Sequence, residues 1–587
     1  MSKWMLNRRG ADFKGMARQL GVDPVLVMLM VNRGLSSLEE MREYLNPSLS
    51  FPDPHLLQDV DLACELLMYA IDEGTKIRVI GDYDVDGIMS TYILVSAIAE
   101  CGGQVDFALP HRIEDGYGIN PDMVDKAYSE GVGLIITCDN GIAAAPAVDR
   151  ARELGMTIIV TDHHEVPFEL SGQDKVYHLP MADAVVDPKR EDCSYPFKEI
   201  CGAQVVHKLT YCLYEMLGMD SKLADQYLVY AAIACVCDVM ELKGENRSLV
   251  YYGLRALQSV ENTGLQALLL ATGLKDKAIA SYHIGFIIGP CLNATGRLES
   301  AMEALELLTE PDKFKAAALA EKMVALNESR KSMTEKGIEA ATAMVEEEGL
   351  KEDRVLVVYL PDLHESIAGI VAGRLKEKYY RPTLVITDSA DGAKGSGRSI
   401  EAYNMFEELS AVKDIFTRFG GHPMAAGISL PKERIGELRR RLNENCRLTG
   451  DDLEEKILID IALPLSYLSV DLIENFSRLE PFGTGNKKPL FALKGIGIKR
   501  ASRMGKEGQY LRLDLVTEDN RTMTGLVFNK ANQLEKALRD RYGDMAFAAL
   551  LKGQAQGLTL DFIYQAQVNE FRDNKSVNII IEDFKVK

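Results

Sequence analysis

The segment of residues 77–87 constrains this 587-residue chain more than any other, because an apolar run there meets three aspartates at alternate positions. The run IRVI has the β-branched composition of a buried strand, and Gly81 lets the backbone turn as it leaves the sheet. Asp82, Asp84 and Asp86 follow. Carboxylates this close together repel one another unless cations lie between them, although a solvated acidic turn would have the same composition.

Three more apolar segments lead into residue types that bind metals. They are residues 134–138 before Asp139, residues 157–161 before Asp162, His163 and His164, and a predicted buried helix over 227–237 before Asp238. In a parallel α/β sheet the carboxyl ends of the strands lie along one edge, so residues far apart in sequence converge there. A single histidine is usually a core or surface residue, but aspartates and a histidine in one crevice suit two divalent cations. The sequence therefore predicts a two-metal site.

The order of the motifs GDYDVDG, CDNG, TDHH and CDVM resembles the DHH phosphoesterase superfamily, and its spacing is similar to that of the RecJ single-strand-specific exonucleases. The resemblance covers nearly the whole chain. It implies a phosphodiesterase that uses Mn²⁺ or Mg²⁺ and removes 5′-mononucleotides from the 5′ end of single-stranded DNA in recombination and repair. The implied catalytic residues are Asp82, Asp84, Asp86, Asp139, His163, His164 and Asp238.

Within this set, the resemblance implies that His164 reaches the substrate phosphate while the other residues bind the two cations. Asp162 is expected to orient a histidine without binding metal itself. Single-stranded DNA is the expected ligand of a monomeric enzyme, with a single-strand-binding protein and a helicase as partners.

Two other functions remain open at this stage. The nanoRNases and phosphoadenosine phosphatases of the same superfamily share the chemistry, but such relatives usually end after a second lobe, whereas this chain continues. A non-catalytic single-strand-binding module of replication would not need an intact set of carboxylates.

Two polar clusters in the first half of the chain are candidate phosphate-binding groups. Glycines on both sides of Tyr117 predict a loop that presents its aromatic ring, and Arg112 in the same loop could pair with a phosphate. Asn293 and Arg297 lie in another short polar cluster within apolar surroundings, and an arginine beside a glycine can approach a phosphate closely. Both clusters match the substrate-binding motifs of the family, which implies that these residues bind substrate.

Two glycine-rich segments, residues 395–399 and 420–427, are further candidates. We interpret them as turns whose backbone N–H groups bind anions, with Ser396 and Arg398 as additional donors. In order and position they resemble the DHHA1-type accessory domain of the superfamily, which adds His422 to the substrate-binding candidates.

We predict an α/β chain with a doubly wound parallel sheet, a connecting helix, a smaller second α/β domain and a C-terminal β-barrel of the OB-fold type. The predicted parts are a helical lead-in at 1–70, the metal-binding domain at 71–300, the connecting helix at 301–350, the second lobe at 351–450 and the nucleic-acid-binding barrel at 451–587. Short strands are predicted for this last part at 457–461, 491–498, 510–515, 522–528, 547–551 and 577–582, with one helix at 531–542.

Composition is that of an ordinary globular protein, at 47% hydrophobic and 26% charged residues, and the length predicts three or four domains. Ten cysteines show no paired metal-binding spacing, and we find no apolar run typical of a signal peptide or a membrane span. We therefore expect a cytoplasmic protein. The net charge of −20 argues against a broad phosphate-binding surface, so contacts to nucleic acid must come from local cations and metals.

Overall fold

The structure is a computed structural model that describes residues 2–171, 174–347, 349–390, 392–572 and 574–586. The chain forms two compact units. One runs from Leu49 to Glu454, and the other combines the residues up to Ser48 with those from Glu455 onward. No helix in the described part of the chain is both long enough and apolar enough to cross a lipid bilayer.

The N-terminal segment up to Ser48 contains three helices and belongs to the second of these units, whereas residues 49–70 belong to the first. Leu26, Leu29 and Met30 form its buried apolar face, and a capping box between Ser37 and Glu40 begins its last helix. Its elements are β1 (Lys3–Leu6), α1 (Phe13–Leu20), α2 (Pro24–Asn32) and α3 (Leu38–Leu45).

The first lobe of the larger unit alternates strands and helices. Its elements are α4 (Val60–Asp72), β2 (Ile77–Ile80), α5 (Val85–Glu100), β3 (Val105–Ala108), α6 (Pro121–Ser129), β4 (Leu134–Cys138), α7 (Ala145–Glu153), β5 (Thr157–Thr161), β6 (Phe168–Ser171), β7 (Asp174–Tyr177), β8 (Ala184–Val186), α8 (Gly202–Met216), α9 (Leu228–Cys237), α10 (Gly244–Gln258), α11 (Thr263–Ala271), α12 (Ser281–His283), α13 (Gly289–Leu298) and α14 (Met302–Thr309).

Five parallel strands form the central sheet of this lobe in the order β3-β2-β4-β5-β8. The chain adds β3 on one side of β2 and β4 on the other, so the strand order reverses beside β2. A crevice opens at such a reversal, outside the carboxyl ends of the strands. The prediction of a doubly wound parallel sheet is confirmed.

A 35-residue helix, α15 (Lys313–Glu347), leads into the second lobe and confirms the predicted connecting helix. The sheet of this lobe has the order β12-β13-β11-β10-β9. Its elements are β9 (Leu356–Tyr359), α16 (Glu365–Tyr379), β10 (Thr383–Ser389), β11 (Gly392–Arg398), α17 (Met405–Ser410), β12 (Arg418–His422), β13 (Ala425–Leu430) and α18 (Ile435–Asn445).

The interpretation of the two glycine-rich segments as turns is wrong for most of their residues, which lie in strands. Residues 395–398 lie within β11, which pairs with β10 on one side and β13 on the other, and residues 420–427 form most of the β12–β13 hairpin. Gly395 and Gly397 face the buried side of the sheet, where a Cβ at Gly395 would lie 3.0 Å from Ile386 and Ile428. Because side chains alternate along a strand, Ser396 and Arg398 project together from the opposite face.

The C-terminal part forms a closed barrel in the order β15-β16-β17-β19-β18, which confirms the predicted barrel. Its segment contains β14 (Lys456–Ile459), α19 (Val470–Asn475), β15 (Phe491–Met504), β16 (Tyr510–Val516), β17 (Thr522–Val527), α20 (Ala531–Tyr542), α21 (Asp544–Leu551), β18 (Thr559–Phe571) and β19 (Asn574–Val586).

One strand prediction for this segment is wrong, and another is right as a strand but not as a part of the barrel. Residues 547–551 belong to helix α21, because the alanines around Phe547 favour a helix and Phe547 and Leu550 share its buried face. The predicted strand at 457–461 corresponds to β14, which pairs with β1 outside the barrel. The fifth barrel strand is β18, which was not among the predicted strands.

Candidate metal centre and phosphate-binding cavity

The carboxyl edge of the first sheet gathers residues from four chain segments. Asp82 follows β2, Asp139 follows β4, and Asp162, His163 and His164 follow β5. Because β4 lies between β2 and β5, these strand ends are neighbours. A fourth segment arrives from helix α9, whose C-terminal residue is followed by Asp238.

The imidazole of His163 lies at the centre of this group. Carboxylate oxygens lie 3.0 Å from its Nε2 on Asp139, 3.5 Å on Asp86 and 3.8 Å on Asp238. His163, Asp86 and Asp139 are buried, whereas Asp238 is partly exposed. One nitrogen and several carboxylate oxygens therefore face a single small volume, as the ligands of a bound cation do.

Backbone N–H groups hold the carboxylates in position. At the start of α8, Gly202 and Ala203 donate to the two oxygens of Asp86 at 2.7 and 2.8 Å, so the positive end of the helix dipole faces this carboxylate. Gly118 donates to Asp82 at 3.1 Å. Glycine is required at 202, because a Cβ there would lie 2.8 Å from the Cβ of Asp139.

The turn after β4 places Asp139 in an unusual backbone conformation, with φ at 60°. A non-glycine residue in this left-handed region is held there by its surroundings. The side chain of Asn140 supplies the restraint, since its amide donates to the carbonyls of Ile80 and Cys138 and its oxygen accepts from Ile119. Asn140 thus fixes both the Asp139 turn and the loop that contains Tyr117.

Asp82 and Asp84 lie beside this centre in different roles. Asp84 caps helix α5 by accepting from the N–H groups of Asp86 and Gly87, which places Asp86 on the first turn. Asp82 Oδ2 is buried and has no hydrogen-bond partner among the described residues. A buried carboxylate oxygen without a donor is costly unless a cation satisfies it.

Burial raises the pKa of several carboxyl groups in the centre. It raises the pKa of Asp82 to about 8 and that of Asp86 to about 7, with a further contribution from the charge of Asp84 in both cases. The pKa of Asp238 is raised to about 8 by burial and by Asp86, and that of Asp139 is raised well above its usual range by the same two causes. Bound cations would remove this penalty, so the donor set fits divalent metals.

The two neighbouring histidines differ in protonation. Burial and the adjacent His164 lower the pKa of His163 to about 3, which leaves its imidazole neutral and able to bind a metal. Burial lowers the pKa of His164, but the hydrogen bond to Asp162 Oδ1, 2.7 Å from His164 Nδ1, acts together with the charges of Asp162, Asp238 and Asp86 and raises that pKa to about 9. Asp162 therefore positions His164 and keeps it cationic.

Tyr117 connects the metal centre to a neighbouring cavity. Its hydroxyl donates to the backbone carbonyl of Asp139 at 2.7 Å and lies 3.2 Å from His164 Nδ1, while its ring is about half exposed, at 53%. The same residue lines a cavity of about 560 Å³ between the two lobes of the larger unit. This cavity therefore opens directly beside the proposed metal ligands.

Residues from both lobes line the cavity. They include Arg112, Tyr117 and Arg297 from the first lobe and Ser366, Lys394, Ser396, Arg398, Arg418 and Phe419 from the second. Arg112, Arg297 and Arg398 form no ion pair with a carboxylate within the described part of the chain. Burial, and to a smaller extent the charge of Arg112, lowers the pKa of Arg297 and of Arg398. The pKa of Arg297 falls to about 9. Mutual repulsion among three arginines is relieved when an anion binds between them.

The structure places most of the predicted substrate-binding residues on this cavity. Asn293 and His422 do not line it among the described residues; Asn293 lies one helical turn before Arg297 on α13, and His422 is exposed at the end of β12. Sequence reasoning missed Lys394, Arg418 and Phe419. Arg418 and Phe419 directly precede the Gly420-Gly421 pair, so their position beside this glycine motif could have identified them as candidates.

Comparisons with known proteins agree with this architecture. Family profiles match the DHH family N-terminal domain at residues 76–235, the DHHA1 domain at 352–448 and the RecJ OB domain at 459–583. The single-stranded-DNA-specific exonuclease RecJ of Bacillus subtilis is 34% identical over 590 residues, an alignment that covers 100% of this chain and 71% of the relative.

Two solved structures have the same fold over the whole chain. RecJ of Thermus thermophilus in complex with Mn²⁺ aligns with a TM-score of 0.82 at 27% identity, covering 100% of this chain and 80% of that protein. The same protein in complex with Mg²⁺ aligns with a TM-score of 0.77 at 26% identity, covering 100% and 78%.

Proposed function

Because the chain belongs to the RecJ family of single-stranded-DNA-specific exonucleases, we propose that it is a metal-dependent exonuclease that degrades single-stranded DNA from the 5′ end to 5′-mononucleotides. The observation that carries the proposal is the double contact of Tyr117, which lines the arginine-rich cavity and hydrogen-bonds Asp139 in the carboxylate–histidine centre. A terminal phosphate in that cavity would place the adjoining phosphodiester near the centre. The barrel and the intact carboxylates disfavour the nanoRNase and the non-catalytic alternatives.

The proposed cofactor is a pair of Mn²⁺ or Mg²⁺ ions held by Asp82, Asp84, Asp86, Asp139, His163 and Asp238. Carboxylate oxygens with a single imidazole favour these hard cations over Zn²⁺. When bound, such ions polarise the scissile phosphate and lower the pKa of the attacking water.

Side chains around the centre would orient the substrate. Cationic His164, which contacts Asp162, would donate a hydrogen bond to the phosphate as negative charge develops on it. Arg112, Ser396 and Arg398 would bind the 5′-terminal phosphate on the cavity side. Reading a terminal phosphate at a fixed distance from the metal centre would set the 5′-to-3′ polarity.

An end-labelled oligonucleotide tests the proposal directly. We expect a 5′ label on single-stranded DNA to be released first, as a mononucleotide, by metal-free protein supplied with Mn²⁺ or Mg²⁺. Chelation of the cations should abolish cleavage, and restoring Mn²⁺ should return it, because the carboxylates need cations to assemble the site. Undiminished cleavage in chelator, or first release of a 3′ label, would overturn the proposal.

Replacing Arg398 with alanine is expected to reduce the preference for 5′-phosphorylated over 5′-hydroxyl ends by about 10- to 100-fold, since a hydrogen bond to a charged group contributes about 1.5 to 3 kcal/mol. The measurement is the ratio of kcat/KM for the two ends. Arg374→Ala is the matched control, because Arg374 is exposed on α16 and pairs with Glu377. An unchanged ratio in Arg398→Ala would count against the phosphate-binding role.

A helicase and a single-strand-binding protein are proposed partners of a monomeric, cytoplasmic enzyme. The net charge of −20 weakens long-range attraction to DNA, so the enzyme would depend on other proteins that expose single strands. All ten cysteines are free in the structure, which suits a reducing compartment.

A further inference from the structure

A second group of metal-binding residue types lies apart from the metal centre, where a 3₁₀ turn at Pro54–Leu56 meets helices α4 and α8. His55 is in the turn, Asp61 is in the first turn of α4, and Cys212 is on α8. His55 Nδ1 lies 2.5 Å from Asp61 Oδ1, and one donor atom from each of the three residues lies within 4.8 Å of the others. Three different elements thus direct a nitrogen, an oxygen and a sulfur toward one point.

A further carboxylate lies near the far side of the His55 ring. Its Nε2 lies 3.7 Å from Glu215 Oε2. This separation is too long for a hydrogen bond, so Glu215 acts on the ring only through its negative charge. Cys212 and Glu215 are three residues apart on α8, so they share the helix face that His55 contacts.

Local structure holds these groups in place without a metal. The N–H of His55 donates to Asp53 Oδ1 at 3.0 Å, and Ser194 Oγ donates to the carbonyl of Leu56 at 3.0 Å, which fixes the turn on both sides of the ring. Cys212 is fully buried, whereas the side chains of His55 and Asp61 are 31% and 56% exposed. An ion can therefore enter from the solvent side and meet the sulfur beneath.

We propose that His55 Nδ1, Asp61 Oδ1 and Cys212 Sγ form a binding site for a thiophilic divalent cation of the Zn²⁺ class. A His–Asp contact alone is an ordinary surface hydrogen bond; the buried thiol beneath it supplies the soft ligand. Thiolate, imidazole and carboxylate are typical ligands of tetrahedral Zn²⁺, and water completes the fourth position. Binding replaces the S–H bond of Cys212 with a metal–sulfur bond, and the thiol proton passes to solvent.

This site differs from the metal centre in its chemistry. The proposed ligands of the centre are carboxylates and one imidazole, which suit Mn²⁺ and Mg²⁺, whereas the second site includes sulfur. Its consequence would be structural, because the ion would link the turn, α4 and α8. The inference depends on the geometry of this cluster alone and stands or falls independently of the proposed nuclease function.

Cobalt substitution tests the proposal on the full-length, metal-free protein. Co²⁺ bound by a thiolate gives a sulfur-to-metal charge-transfer band in the near ultraviolet, which oxygen and imidazole ligands do not give. We expect the band to appear on titration of the wild type with Co²⁺ and to disappear when Zn²⁺ is added in competition. Metal analysis after gel filtration in Zn²⁺ should find about one ion fewer per chain in Cys212→Ser than in the wild type.

The variants separate this site from the other cysteines. Cys212→Ser and His55→Ala should lose the band, whereas Cys101→Ser should keep it, since Cys101 belongs to no cluster of metal ligands among the described residues. Circular dichroism shows whether each variant is folded, and His55→Ala, at a partly exposed position, remains informative if Cys212→Ser does not fold. Absence of the band in the wild type, or its persistence in a folded Cys212→Ser or His55→Ala protein, would overturn the proposal.

Discussion

Replacing Asp139 with asparagine is expected to slow cleavage of single-stranded DNA by about 1000-fold, which corresponds to about 4 kcal/mol of lost transition-state stabilisation. The carboxylate of Asp139 lies 3.0 Å from the neutral imidazole of His163, and its backbone carbonyl holds Tyr117. Asparagine keeps the size and the backbone contacts but removes the negative charge that would bind a cation. Rates with Mn²⁺ on a 5′-phosphorylated oligonucleotide, at saturating enzyme, measure the loss.

The same substitution is expected to stabilise the metal-free protein by about 0.5 to 2 kcal/mol, as is common when a strained functional group is removed. Burial and the charge of Asp86 raise the pKa of Asp139, so its ionised form destabilises the fold until a cation binds. Thermal unfolding in chelator should therefore shift upward in Asp139→Asn, and the further increase in Tm on adding Mn²⁺ should be smaller than in the wild type.

Asp149→Asn is the control for both measurements, because Asp149 is an exposed residue of α7. It should leave the cleavage rate and the Tm unchanged. Cleavage by Asp139→Asn at the wild-type rate would contradict the metal-binding assignment, whereas a lowered Tm in chelator would contradict the repulsion among the buried carboxylates.

The metal centre could be anticipated from sequence because its strands are buried on both faces. Such strands are predominantly apolar, with the ion-paired Arg78 as an exception, so the runs at 77–80, 134–138 and 157–161 coincide with β2, β4 and β5. The residue type changes abruptly where each strand leaves the core, and parallel pairing brings the strand ends together. The local sequence shows where each strand ends, and the parallel topology shows that these ends are neighbours, so both predict the same site.

The cavity face of the second lobe was harder to predict. Gly395 and Gly397 were interpreted as part of a turn, but they lie in β11, where Gly395 packs closely against Ile386 and Ile428. Which residues of a strand face a ligand depends on its pairing partners, and a single sequence does not specify them. Lys394 was missed for this reason, although it alternates with Ala393 and Gly395 on the same strand.

The helix at 544–551 shows a related difficulty. Short apolar runs are compatible with a strand or with a buried helix, and length alone did not distinguish the two here. The alanine content of this segment favours a helix, but its position between predicted barrel strands led to the wrong prediction of a strand. The missed strand β18 carries polar residues toward its C-terminal end, since that part is exposed.

Removal of the buried carboxylate of Glu245 is expected to destabilise the larger unit by about 3 to 5 kcal/mol, the cost of leaving a buried charge without its partner. Lys208 Nζ lies 2.5 Å from Glu245 Oε1, and both side chains are only 4% exposed. The hydroxyl of Tyr195 donates to the other oxygen of Glu245 at 2.6 Å. In Glu245→Ala the Lys208 ammonium would remain between the rings of Phe51 and Tyr195, which only partly replace the lost charge. Urea unfolding measures the change.

Combining Glu245→Leu with Lys208→Met should recover most of this loss, because two apolar side chains of similar volume remove both charges at once and a buried ion pair contributes little net stability over a packed apolar pair. A double-mutant cycle of Glu245→Leu, Lys208→Met and the double variant isolates the coupling between the two residues. Glu241→Gln is the control, since its exposed pair with Lys243 should contribute less than about 1 kcal/mol. If Glu245→Ala and Lys208→Met each cost no more than Glu241→Gln, the pair is solvated in solution and is not the buried ion pair described. If the losses of Glu245→Leu and Lys208→Met simply add in the double variant, the ammonium and the carboxylate do not stabilise each other.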